Sequence, residues 1–141
     1  GDGYDEVVFC GYGEPTLRLD VVKELARRLK ERGVKTRLDT NGHGNLISGR
    51  DILPELRGLI DSVVVSLNAQ NAFSYQKLCQ PSFKEAYEGV KDFVLKAKEQ
   101  IPDVSVTVVN VPDEVDVEEC RRIARSELGV KFRVREYNVY G

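Results

Sequence analysis

Five short valine-rich segments alternate with stretches of helical periodicity, and this alternation limits the folds open to the chain more than any other feature. The segments are Glu6 to Cys10, Val34 to Leu38, Ser62 to Leu67, Val104 to Val109 and Val130 to Val134. Their length and β-branched content predict five strands of a parallel sheet. Between the first two, Val21, Val22, Leu25, Ala26 and Leu29 fall on one helical face, with Asp20 as N-cap and Gly33 just past the end. Phe83, Ala86, Tyr87, Val90, Phe93, Val94 and Ala97 predict a second helix, and Val117, Cys120, Ile123, Ala124 and Leu128 a third. Shorter helical turns are expected over Asp51 to Leu56 and Ala72 to Leu78. Parallel strands need right-handed crossovers, so the α/β sheet is either doubly wound or a barrel segment. The regular strand spacing favours a partial parallel (β/α) barrel of about five strands, forming one domain over residues 1–141. Either architecture puts function at the carboxyl ends of the strands.

Composition narrows the partners. The 141 residues are 41% hydrophobic and 31% charged, enough for one buried core. The net charge of −2, from 21 basic and 23 acidic residues spread along the chain, gives no electrostatic reason to expect nucleic acid or an anionic membrane. No apolar run approaches the roughly 20 residues of a membrane span, so a soluble, cytoplasmic protein is expected. Cys10, Cys79 and Cys120 are too far apart for a CxxC site and odd in number, so they are expected to be reduced, buried thiols and not metal ligands. A chain that opens at Gly1 and contains no methionine is expected to be part of a longer protein.

Polar and glycine-rich residues gather where the first three strands end. After the first comes Gly11-Tyr12-Gly13-Glu14-Pro15-Thr16. Its glycines allow close backbone approach to a ligand, and Glu14 offers a carboxylate suited to an ammonium group. Pro15 steers Glu14 from helical torsions, which predicts an extended turn rather than the opening of a helix; an ordinary tight turn is the competing reading. After the second strand comes Asp39-Thr40-Asn41-Gly42-His43-Gly44-Asn45. Asn41 can hydrogen-bond a ligand, while Asp39 and Asn45 suit Asx-type turns. His43 is the sole histidine; a loop histidine is ordinarily solvated, although its pKa suits proton transfer or substrate contact. After the third strand, Ser66 and Asn68 stand two residues apart on one side of the chain, where they suit a ribose or carboxylate, and Asn71 suits a helix cap. The last strand sets Val130, Phe132 and Val134 against Lys131, Arg133 and Arg135. Arg133 and Arg135 would bind a substrate anion if that face lines the barrel, or protect an edge if it faces solvent. Cys10 is either inward and reactive or a small buried hydrophobe.

Taken in order, Gly-Tyr-Gly-Glu-Pro-Thr-Leu, Asp-Thr-Asn-Gly and Ser-Leu-Asn-Ala resemble the strand-exit motifs of the radical S-adenosylmethionine (radical SAM) superfamily. Arg37 to Leu46 is similar to its TatD-associated radical SAM proteins, whose substrate is unknown. The resemblance implies a radical-SAM-type barrel with S-adenosylmethionine at Gly11, Tyr12, Gly13, Glu14, Asn41, Ser66 and Asn68. It further implies a 4Fe–4S cluster that reduces S-adenosylmethionine to a 5′-deoxyadenosyl radical. The family's Cys-x-x-x-Cys-x-x-Cys loop and first βα unit are expected upstream of Gly1, since none of the three cysteines reproduces that spacing, and the family's fifth-strand glycine pattern is not visible in Val104 to Val109. The chain alone is therefore expected to be inactive, with the intact parent as the enzyme, and a homodimer is expected to cover the edge of the first strand. Two rivals are a non-catalytic binding or scaffold domain of the same fold, and a different barrel enzyme using Glu14 and His43 as acid and base with Arg135 holding an anion.

Overall fold

The computed structural model describes residues 6–10 and 14–136. Five strands form one sheet: β1 (Glu6–Phe9), β2 (Lys35–Thr40), β3 (Ser62–Ser66), β4 (Asp103–Asn110) and β5 (Lys131–Glu136). They lie side by side in chain order and every pairing is parallel. Sequential order is the signature of a singly wound sheet, because each right-handed crossover then returns on the same side. This selects the barrel segment over the doubly wound layer.

The helices on that side are α1 (Leu19–Glu31), α2 (Gly44–Ser48), α3 (Leu53–Leu56), α4 (Ala72–Cys79), α5 (Ala86–Gln100) and α6 (Val117–Arg122), the last running into a π-helical turn at Ile123–Leu128. Leu38, Val63, Val65, Val106 and Val108 of the sheet share one core with Val22 and Ala26 of α1, Val90, Phe93, Val94 and Ala97 of α5, and Cys120 of α6. Truncating a buried aromatic such as Phe93 in a core of this kind costs about 3–5 kcal/mol.

Several local expectations change. Asp20 lies inside the first turn of α1, and the preceding Arg18 makes no side-chain cap. Glu14 is extended, as expected before proline, yet a 3-10 turn opens at Pro15 and leads directly into α1. Proline is well placed there because the first helical N–H has no partner to lose. Asn71 does cap α4, its Oδ1 accepting from the Ser74 N–H at 2.8 Å. The short helix α2 went unforeseen among the glycines of its loop.

Cys10 is exposed and Cys79 half-buried, so of the three thiols expected to be buried only Cys120 is. At the β1 edge, Val7 and Leu25 are 37% and 45% exposed. Among the described residues, no helix is long and apolar enough to cross a membrane.

Candidate functional site

The exits of β1 and β2 are joined by one carboxylate. Glu14 Oε2 accepts from the Thr16 N–H at 3.1 Å, from the Thr16 hydroxyl, and from the Thr40 hydroxyl at 2.6 Å. Its Oε1 accepts from the Asn41 N–H at 2.8 Å. Three donors meet Oε2 and one meets Oε1, which keeps acceptor capacity for a further donor. Glu14 thus pins the turn after β1 to the end of β2. Thr40 Oγ1 is itself within 3.1 Å of the Gly42 N–H, so the network continues into the next turn.

That turn is compact. Asn41 Oδ1 accepts from the His43 N–H at 2.9 Å, and among the described residues the Asn41 amide N–H groups have no hydrogen-bond acceptor. Gly42 has φ +80°, and a Cβ on it would lie 3.0 Å from Val65 Cγ1. His43 is buried rather than solvated. Its Nε2 lies 2.8 Å from the Tyr75 hydroxyl, and its ring meets Tyr75 and Phe83 edge-on. Burial pushes the His43 imidazole below its ordinary pKa, with Glu14 acting weakly the other way. The structure does not pair Glu14 with His43 as acid and base: the carboxylate is engaged by the Thr16, Thr40 and Asn41 donors, and the imidazole is packed against two aromatic rings.

Asn45 and Asp51 build the following loop. Asn45 Oδ1 accepts from the Ile52 N–H at 2.8 Å, and Asp51 Oδ1 from the Leu53 N–H at 3.0 Å. Asp39 makes no Asx turn. It forms a bidentate pair with Arg37, at 2.9 and 3.2 Å, on the side of the sheet away from the helices.

Ser66 ends β3 half-buried on that open side, paired in register with Thr107. Asn68 does not join it. The strand alternation stops at Ser66, Asn68 takes φ +67°, and its amide Nδ2 donates to Cys79 Sγ at 3.5 Å. Gln70, which the sequence did not single out, clamps the β3 exit to the loop after β4: its Oε1 accepts from the Asp116 N–H and its Nε2 donates to Ser74 Oγ, both at 3.0 Å. Tyr75 was likewise missed, because it reads as an ordinary core position of α4. Gly11, Tyr12 and Gly13 lie outside the described residues.

Arg133 and Arg135 line a recess with Arg37, Asp39, Val64 and Thr107, so the cationic side of β5 faces across the sheet. Cys10 follows β1, Cys79 ends α4 and Cys120 lies in α6, and no group of three or more His, Cys, Asp or Glu side chains able to hold a metal occurs among the described residues. These residues do not fit an iron–sulfur cluster.

A sequence profile described as the radical SAM superfamily matches residues 1–125. The chain belongs to the radical SAM superfamily. A Methanocaldococcus jannaschii protein that carries the name of a glycyl-radical enzyme activating enzyme is 29% identical over 125 residues, covering 86% of this chain and 50% of that protein. Among solved structures, TYW1 with a lysine–pyruvate adduct bound superposes with a TM-score of 0.71 at 22% identity, over 95% of this chain and 42% of that one. A domain of the pyruvate-formate lyase-activating enzyme from Bacteroides vulgatus gives 0.53 at 14% identity, over 91% and 97%. At these identities the two structures speak for the fold. The radical SAM chain described here spans about half the length of the curated relative it matches.

Proposed function

We propose that this chain is the S-adenosylmethionine-binding wall of a radical SAM enzyme. The observation that carries the reading is the Glu14 network, which draws the first two strand-exit motifs together at the mouth of the open sheet face. The cofactor would meet Gly11, Tyr12 and Gly13, the side-chain amide of Asn41, and Ser66 on the adjacent strand. Glu14 shapes the turn. Asn68 contributes by setting the backbone after β3, since its side chain is turned towards Cys79.

On this reading the 4Fe–4S cluster is held by cysteines that precede this segment in the parent protein, and the parent generates a 5′-deoxyadenosyl radical. The residues described here bind and orient the cofactor; none of them supplies an electron. The Arg37 to Leu46 motif supports a place among the TatD-associated members. Free thiols suit a reducing compartment, which makes the cytoplasm part of the proposal.

Calorimetric titration of the chain with S-adenosylmethionine tests the reading. Saturable binding that weakens about tenfold in Asn41→Ala and in Ser66→Ala, about 1.4 kcal/mol each, is the expected result. No binding by the chain, together with no iron, sulfide or S-adenosylmethionine cleavage under dithionite in the parent protein, would leave a non-catalytic binding domain.

A further inference from the structure

The strand exits do not account for the chemistry of the open sheet face. Arg37 and Asp39 of β2, Val64 of β3, Thr107 of β4, and Arg133 and Arg135 of β5 surround a recess of about 200 Å³. A second recess of about 190 Å³ shares Arg37, Val64 and Arg133 and continues towards the strand starts. Together they come to the lower end of the roughly 300–1,000 Å³ of small-molecule sites.

Most of the charge here is already matched. Arg37 is held by Asp39 and lies 3.7 Å from Glu6, and Lys131 meets Asp103 at 3.1 Å. Arg133 and Arg135 differ. Two residues apart on one strand, they leave the same face roughly 7 Å apart. Among the described residues no carboxylate forms an ion pair with either. Around the first recess three guanidinium groups therefore face one carboxylate, in a chain whose net charge is −2.

Edge protection does not account for this arrangement. Ser105 and Thr107 are only 7% and 8% exposed, although they lie on the face that none of the described helices covers. Arg133 and Arg135 are exposed, yet they line one recess with Thr107 of β4 and Val64 of β3 rather than standing clear of the sheet. Two like charges held over a half-buried face are stabilised by a ligand of opposite sign, and the planar guanidinium fork matches an oxyanion in bidentate fashion.

We infer that this recess receives the doubly charged oxyanion end of the substrate, a dicarboxylate or a phosphate monoester, with Arg133 and Arg135 as its binding cations and the Thr107 hydroxyl beside them. The proposed function is needed only to call the ligand a substrate. The anion site itself stands on the recess and its charges.

Titration of the 141-residue chain with succinate, inorganic phosphate and neutral succinamide, followed by arginine side-chain NMR and calorimetry, tests the inference. Succinate or phosphate is expected to saturate the site, succinamide is not, and the affinity is expected to fall with added salt. Tighter succinate marks a carboxylate ligand and tighter phosphate a phosphoryl one. Arg133→Gln and Arg135→Gln should each weaken binding at least tenfold, and Arg133→Lys, which keeps the charge and guards against misfolding, should weaken it less. Arg28→Gln, on α1 and paired with Glu24, should leave it unchanged. No saturable binding of either anion, or binding that survives both glutamine substitutions, overturns the site. Displacement of succinate by S-adenosylmethionine overturns its assignment to substrate. Succinate binding without S-adenosylmethionine binding would instead count against the proposed function and leave the anion site intact.

Discussion

Glu14→Ala is the perturbation whose consequence follows most directly from the structure. The carboxylate receives two backbone N–H groups and two hydroxyls, and Thr16 and Thr40, which supply the hydroxyls, are 3% and 4% exposed. Alanine leaves all four donors without this acceptor. The hydroxyls can rotate to other acceptors, whereas the Asn41 N–H, fixed by the end of β2, cannot. At about 1–3 kcal/mol for each buried donor left unsatisfied, with the two backbone donors not recovered, the loss of stability comes to about 2–6 kcal/mol. Glu14→Gln keeps one acceptor oxygen for Asn41 and lets the threonine hydroxyls accept from the new amide, so about 1–2 kcal/mol is expected. Urea unfolding followed by circular dichroism measures both, provided the slope with denaturant is unchanged. A loss below about 1 kcal/mol for Glu14→Ala would refute the tether and free the carboxylate for a ligand.

Three further outcomes follow from the same neighbourhood and from the thiols. The His43 imidazole titrates below its ordinary value in the folded chain because burial disfavours its charged form, so the unfolded chain binds the extra proton first. Stability is then full above the unfolded value near ~6.5 and declines as the pH falls through it, until the folded His43 is itself protonated; His43→Phe should flatten this limb of a pH–stability curve. Gly42→Ala puts a Cβ 3.0 Å from Val65 at φ +80° and should cost about 2–4 kcal/mol, read as a lowered melting temperature. Thiol labelling under native conditions should modify exposed Cys10 first and Cys120 last, since Cys120 is buried and its thiol is pushed up to about 12; simultaneous labelling of all three would contradict the core.

The sheet and its major helices are legible in the sequence because their signal is local. Valine runs mark β3 and β4, and the spacing from Val90 to Ala97 marks α5. The ends of elements were harder to read, since they depend on which polar group finds which partner. Asp20 looked like a cap, but the helical turn at Pro15 had already begun upstream and drew Asp20 inside. Ser66 and Asn68 looked like a pair on the rule of two, and the rule fails one residue past the strand, where Asn68 turns left-handed. Glu14, Thr40 and Asn41 were each visible in their motifs. Their union was not, because the 26-position separation of Glu14 and Thr40 hides a contact that only the β1–β2 register creates.

The open face leaves a fainter trace that could have been read more fully. Parallel strands covered on both sides read as unbroken apolar runs. Here β2 alternates Lys35, Arg37 and Asp39 with Thr36, Leu38 and Thr40, and β5 alternates Lys131, Arg133 and Arg135 with Phe132 and Val134. Alternation on β5 alone is ambiguous, because an edge strand needs charges in any fold. Alternation on β2, an interior strand bonded to both β1 and β3, is not, since it has no edge to protect. Charges on an interior parallel strand require a side without helices, and a singly wound sheet is the arrangement that supplies one. The charged positions of β2 thus carry the same information as the strand order, and they place Arg133 and Arg135 on the same side of the sheet as Arg37 and Asp39.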